Sequence, residues 1–207
     1  MKKQVDKKMY NFKKYCNQDR WASYWYQIDE ILNCNPKNIL EVGVGNKIVE
    51  SYLKNNTNIK YTSLDIADDL HPDIIGSVDD IKAEDNFFDL VCAFEVLEHL
   101  PFKKFAKCLS ELKRVSRKNI IISLPYWGRH FSVKFRLPYF KIIKFQYKFN
   151  LMPIKHKFNG QHYWEIGKSG YSLNKIKKEI NKVGFKIVKD YIAFESPYHY
   201  FFVLEKL

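Results

Sequence analysis

Glu41, Gly43 and Gly45 fall at alternate positions in ILEVGVGNK, residues 39–47, and Asp65 follows in YTSLDI, at the roughly 20-residue interval where an acid can accept both hydroxyls of a ribose. Glycines placed directly after an apolar strand let the backbone turn tightly and approach a ligand without Cβ clashes. The turn after the first parallel strand is also where doubly wound sheets bind ligands. A dinucleotide fingerprint asks for G-x-G-x-x-G, with a small third residue so that the helix packs closely on the strand. GVGNKI puts Ile48 at that place, which disfavours a pyrophosphate cofactor. Glu41 adds a carboxylate that would repel a pyrophosphate and attract a cationic ligand such as S-adenosylmethionine, which carries an ammonium and a sulfonium.

The elements that must position these residues alternate along the chain. In DRWASYWYQIDEILN the apolar residues Trp21, Trp25, Ile28 and Leu32 fall at helical spacing, with Asp19 as the cap and Pro36 closing the segment. Then come strand NILEVG, helix KIVESYLKN, strand IKYTSLDI, a short extended PDIIGS, strand FFDLVCAF, helix PFKKFAKCLSELKRV and strand NIIISLP. Strands rich in Ile, Leu and Val that alternate with helices predict a parallel sheet covered on both faces. SLNKIKKEINKVGF reads as a late helix, followed by two strands that pair as a hairpin through Ser196-Pro197.

These stretches resemble the class I S-adenosylmethionine-dependent methyltransferases of the type 11 kind. The resemblance rests on ILEVGVGNK, SLDI, GSVDDIKAEDNFFDLVCAFEVLEHLP and NIIISLP, over residues 37–125, and on the ending GFKIVKDYIAFESPYHYFFVLEK. It implies an α/β fold: a doubly wound, Rossmann-like, seven-stranded, mostly parallel sheet with a C-terminal antiparallel hairpin and helices on both faces. It also implies S-adenosylmethionine as cofactor, with S-adenosylhomocysteine as product. Carried over residue by residue, Glu41, Gly43 and Gly45 line the methionine end, Asp65 binds the ribose, and Ile66 flanks the adenine. Ser77 and Val78 border the adenine edge, and Phe94 closes over the methionine moiety. The chain departs from the pattern twice. Lys47 stands where a third glycine is usual, which implies a loop that needs no positive φ there. Ser77 replaces an aspartate, with Asp79 as a substitute.

Beyond this core the residues speak to the acceptor. Methyl transfer from a sulfonium is an in-line displacement in which the cofactor supplies the hard chemistry, so the protein positions the acceptor and, for a hydroxyl, removes its proton. His99 in EVLEHLP and His162 in GQHYWEIG are the candidate bases. Tyr126, Trp127, Tyr163, Trp164 and Glu165 are the candidate acceptor-binding residues, the last three within a glycine-bounded recognition loop. From Tyr126 to Trp164 the chain holds 12 aromatics and eight basic residues. Lys141, Lys144 and Lys148 read as one face of a helix. This insert suits a cap that meets an anionic acceptor, or a contact with an anionic membrane where a lipid-linked acceptor is found.

Composition narrows the remaining choices. The net charge is +12, yet residues 112–164 hold 12 Lys/Arg and no acid, so the whole excess sits in one stretch. Lysine outnumbers arginine 30 to 5, and specific nucleic-acid recognition favours arginine's bidentate fork. The four cysteines form no C-x-x-C pair and read as reduced thiols, with no metal site and a cytoplasmic location. The basic start lacks an apolar core segment behind it, and no long apolar run predicts a membrane span. The expected organisation is one domain: a leading helical segment at 1–36, a cofactor-binding core at 37–125, an insert at 126–170, and a closing helix and hairpin at 171–207. The expected activity is O-methylation of a small, saccharide-like or lipid-linked acceptor. The alternatives are an RNA methyltransferase and a non-catalytic binding module that keeps the fold.

Overall fold

The computed structural model describes residues 7–136 and 138–207, which leaves the first six residues of the basic N-terminal stretch outside the described residues. A seven-stranded sheet has the order β3-β2-β1-β4-β5-β9-β8. Its parallel part comprises β1 (Asn38–Val42), β2 (Lys60–Asp65), β3 (Ile74–Ile75), β4 (Phe88–Phe94) and β5 (Ser116–Pro125). Strands β8 (Phe185–Ile192) and β9 (His199–Lys206) form the antiparallel hairpin, with β9 against β5. The strand order reverses between β1 and β4, and that is where the carboxyl ends of the strands open a crevice.

The alternation along β1 decides what each helix covers. Leu40 and Val42 pack into one core with α4 (Phe105–Val115) and α5 (Leu173–Lys182), through Phe105, Cys108, Leu109, Leu112, Ile176 and Ile180. Ile39 packs on the other face with α2 (Gln18–Asn33) and α3 (Ile48–Asn56), through Tyr24, Ile31, Val49 and Leu53. Both faces are therefore covered, which is why the strands read as continuous apolar runs.

Two local expectations are corrected. The cap of α2 is Asn17, whose side chain accepts from the Arg20 N–H at 2.8 Å, rather than Asp19. The buried face of α2 is Ser23, Tyr24, Gln27, Glu30 and Ile31, while Trp21, Trp25 and Leu32 are exposed. The polar members of that face are held inside by specific bonds. Glu30 accepts from Lys189 Nζ at 2.5 Å and from the Tyr191 hydroxyl at 2.6 Å.

The insert carries the third correction. Lys141, Lys144 and Lys148 share no helix, because residues 129–149 form a second, two-stranded antiparallel sheet of β6 (Arg129–Phe135) and β7 (Ile143–Phe149). Alternation puts Lys144, Gln146 and Lys148 on one side of β7, bonded to Glu195, to the Ile192 carbonyl, and to the Tyr126 and Pro197 carbonyls. The other side carries Phe131, Phe135, Ile143, Phe145 and Tyr147, all exposed. A short helix α1 (Phe12–Tyr15) precedes α2. Among the described residues no helix is long and apolar enough to cross a membrane.

Candidate active site

A cavity of about 250 Å³ opens at the carboxyl ends of the parallel strands. Its first half lies at β1, β2 and β3 and is lined by Gly43, Gly45, Asp65, Ile66, Ser77 and Val78. The chain leaves β1 through Gly43, whose φ is +82°, and a Cβ there would stand 2.4 Å from Val96 Cγ2. Only glycine suits both the conformation and the space. The Asp65 carboxylate ties the loop to the end of β2, accepting from the Val44 N–H at 3.0 Å and the Ala67 N–H at 2.9 Å. Burial raises its pKa, against the lowering effect of those backbone bonds.

Lys47 contradicts the expectation that the loop needs no positive φ, because its φ is +61°. That conformation costs a non-glycine residue about 1–2 kcal/mol. The Lys47 side chain offsets the cost locally, donating to the His71 carbonyl at 2.9 Å and pairing with Glu50 at 3.3 Å. Asp79 accepts from Ser77 Oγ and from Lys104 Nζ at 2.7 Å, and the lysine holds its carboxyl below the usual range. Asp79 thus fixes the Ser77 side chain beside Val78 in the cavity wall.

The second half lies beyond β4. Phe94, Glu95, Val96 and His99 from the turn after β4 meet Gln161, His162 and Tyr198 there, Tyr15 and Arg20 close one side, and Tyr10 packs over the first half against Val44, Ala67 and Leu70. The turn Leu97–His99 and the stretch around His162 are locked together by the Tyr163 N–H on the Glu98 carbonyl at 2.9 Å and the Trp164 indole N–H on the Leu100 carbonyl at 3.1 Å. His162 Nδ1 lies 3.0 Å from Glu165 Oε1, which also accepts from the Tyr198 hydroxyl at 3.0 Å. The rings of His99 and His162 meet edge to face, 5.0 Å apart. Burial and the neighbouring His162 push the His99 pKa down to about 4, so its imidazole is neutral near pH 7 and weakly basic. Burial raises the Glu95 carboxyl to about 7, with Arg20 opposing.

The structure therefore gathers seven of the eight residues expected at the cofactor, together with both histidines. Glu41 is the exception. Its carboxyl accepts from the Tyr61 hydroxyl within the core, burial raises it to about 8, and it is absent from the cavity wall. A carboxyl that is neutral at pH 7 does not supply the attraction for a cation that the sequence suggested. The five acceptor-binding expectations are also displaced from the wall. Trp164 is fully buried, Tyr163 packs at a tilt against Phe158, and Tyr126 and Trp127 lie under Lys148 and Lys168. Glu165 stands one layer behind the wall, holding His162. Among the described residues no lysine of the insert lines the cavity either, so Lys141, Lys144 and Lys148 do not form the expected cationic face toward it. The residues not anticipated are Tyr10, Tyr15, Arg20, Glu95, Gln161 and Tyr198. Arg20 carried a signal as the lone arginine before residue 114, and Glu95 as the neighbour of Phe94.

Residues 40–123 match the family described as "Methyltransferase domain". No curated protein matches the chain in sequence. Among solved structures, the 1,6-didemethyltoxoflavin-N1-methyltransferase of Burkholderia thailandensis, with bound 1,6-didemethyltoxoflavin and S-adenosylhomocysteine, is similar with a TM-score of 0.60 and 13% identity, over 91% of this chain and 81% of that one. A SAM dependent methyltransferase from Aquifex aeolicus is similar with a TM-score of 0.60 and 14% identity, over 98% and 100% of the two chains. The cyclase SpnF is also similar, with a TM-score of 0.56 and 12% identity over 91% and 80%, so the fold by itself does not fix the reaction. The family match, the sheet order and the lined crevice agree: residues 40–123 are similar to the methyltransferase-domain family, and the chain has the fold of the class I, S-adenosylmethionine-dependent methyltransferases.

Proposed function

We propose that the protein transfers the methyl group of S-adenosylmethionine to an oxygen of a small, saccharide-like acceptor. The observation that carries this reading is the His162–Glu165 pair at the far end of the cavity from Asp65. A hydroxyl is a weak nucleophile until its proton is weakened or removed, and an imidazole oriented by a carboxylate is a device for handling that proton. The residues of the first half fit the donor: glycine backbone where a ligand must approach closely, Asp65 for a diol, and apolar Ile66 and Val78 for a flat base. When bound there, S-adenosylmethionine supplies an electrophilic methyl on a positively charged sulfur.

The chain's own residues then hold the acceptor. Among the described residues Arg20 is the one Lys or Arg lining the cavity, and it faces the Glu95 carboxyl, which favours a neutral acceptor rich in hydroxyls over an anionic one. Tyr15 stands at that end beside Arg20, and Tyr10, packed edge to face on it at 4.9 Å, lies over Gly45 at the other end. The exposed apolar face of the β6–β7 hairpin supports a lipid-linked form of the same acceptor.

Radiolabelled methyl transfer to a panel of free and lipid-linked saccharides, with amine-bearing analogues beside them, tests the reading. Label on an oxygen is expected. The His162→Ala variant should lose about 10²–10⁴ in rate while keeping its affinity for S-adenosylhomocysteine. Label confined to the amines contradicts the proposal.

A further inference from the structure

The acceptor end of the cavity backs onto a buried carboxyl that a proton transfer does not need. Glu98 is fully buried, and neither of its carboxylate oxygens takes a hydrogen bond among the described residues. Buried polar groups are nearly always satisfied, so a bare carboxyl beside a cavity calls for a partner. Its Oε1 lies 3.9 Å from His162 Nε2, and one ligand atom from each of Glu98, His99 and His162 lies within 4.8 Å of the other two. Both rings are braced from behind: His162 Nδ1 sits 3.0 Å from Glu165, and His99 Nδ1 sits 3.1 Å from the Gln161 carbonyl. A carboxylate or carbonyl on the second ring nitrogen is how metal-ligating histidines are oriented. Glu95, three residues before Glu98 and in the cavity wall, adds a second carboxyl to the same turn.

We propose that Glu98, His99 and His162 bind a divalent first-row transition ion such as Mn²⁺, Fe²⁺, Co²⁺ or Zn²⁺, and that the ion takes the acceptor's hydroxyl oxygen as a further ligand. Two imidazoles and one carboxylate suit such ions and leave positions open, whereas Mg²⁺ and Ca²⁺ prefer oxygen ligands throughout. Neighbouring ligands ~2.1 Å from an ion stand ~3 Å apart, so a gap of 3.9 Å closes by small side-chain rotations. The inference rests on the oxygen-acceptor reading and deepens it. Two open positions on one side of the ion select an acceptor with two adjacent oxygens, such as a vicinal diol.

In the step itself, the metal-bound hydroxyl releases its proton to water, because coordination lowers its pKa. The oxygen lone pair forms the new C–O bond as the C–S bond breaks. The C–S electron pair stays on sulfur, giving the methyl ether, neutral S-adenosylhomocysteine and one free proton. His162 then acts on the hydroxyl's proton through the ion it holds, and Glu165 is a positioning residue.

The test is titration of the chelator-treated full chain with Mn²⁺, following loss of the free-ion signal by electron paramagnetic resonance. S-adenosylhomocysteine binding to the same samples reports an intact fold. The expected result is one Mn²⁺ bound per chain, weakened about 10–100-fold by Glu165→Gln and more strongly by Glu98→Gln. His162→Ala, at the cavity wall, is a second variant that removes a ligand without placing a neutral amide in the core, and it should weaken binding as strongly as Glu98→Gln. A wild-type chain that binds S-adenosylhomocysteine and leaves the Mn²⁺ signal unchanged overturns the proposal. So do Glu98→Gln and His162→Ala variants that hold Mn²⁺ as tightly as the wild type. Mn²⁺ bound at this site with the methyl group delivered to nitrogen overturns the oxygen reading and leaves the metal site standing.

Discussion

Single residues separate what a motif announces from what its atoms do. Gly43, Gly45 and Asp65 are legible because each role is imposed by backbone geometry that a short pattern encodes. Glu41 belongs to the same pattern, yet strand alternation turns it into the core, where the Tyr61 hydroxyl is its partner. The consequence is a pH dependence of stability. Burial raises the Glu41 carboxyl to about 8, above the usual 4.5 of an unfolded chain. The folded protein therefore holds a proton that the unfolded chain releases. That stability is fully present below pH 4.5 and is lost as pH rises through 8, at up to about 1.4 kcal/mol per pH unit. Glu41→Gln removes this contribution and keeps an acceptor for Tyr61. In urea denaturation at pH 5, 6.5 and 8, its stability relative to the wild type should climb steadily with pH. Parallel stabilities at all three values would mean that Glu41 is ionised in the folded state.

At the scale of elements, the strands and helices of the sheet were readable from apolar runs and spacing, and the insert was not. Lys141, Lys144 and Lys148 are compatible with a helix because their spacing is three and four. The same segment also alternates as KFQYKF, and pairing with RHFSVKF across β6 decides in favour of a strand. Such pairing is a contact between distant segments, which periodicity within one segment does not encode. The strand gives the three lysines unequal roles. Lys148 is pushed down to about 8 by burial and donates to the Tyr126 and Pro197 carbonyls. Lys141 is exposed. Removing Lys148 by Lys148→Ala should cost about 1–3 kcal/mol, as expected for carbonyls left without a charged donor, and Lys141→Gln should change stability by less than about 0.5 kcal/mol. Equal effects in thermal or urea unfolding would contradict the assignment of Lys148 to the seam between hairpin and sheet.

On the scale of the whole molecule, the charge excess and the chemistry are separated. The stretch that carries the entire +12 sends Gln161 and His162 into the cavity wall and no lysine or arginine. The cavity joins instead a half built from β1 and β2 to a half assembled from the turn after β4, the stretch around His162, and the helical segment before β1. The first half was legible because it is local to two strand ends. The second was legible only as separate histidines, since residues 95–99 and 161–165 meet through the Tyr163 and Trp164 bonds to the turn after β4.

The central claim is that this one cavity takes S-adenosylmethionine with its ribose on Asp65, and calorimetric titration of the intact chain with S-adenosylhomocysteine and with NAD tests it most directly. The account predicts one S-adenosylhomocysteine bound per chain, no heat from NAD, and a loss of about 1.5–3 kcal/mol in Asp65→Ala, the range for a hydrogen bond to a charged group. Binding of NAD in its place, or equal affinity of wild type and Asp65→Ala for S-adenosylhomocysteine, would contradict it.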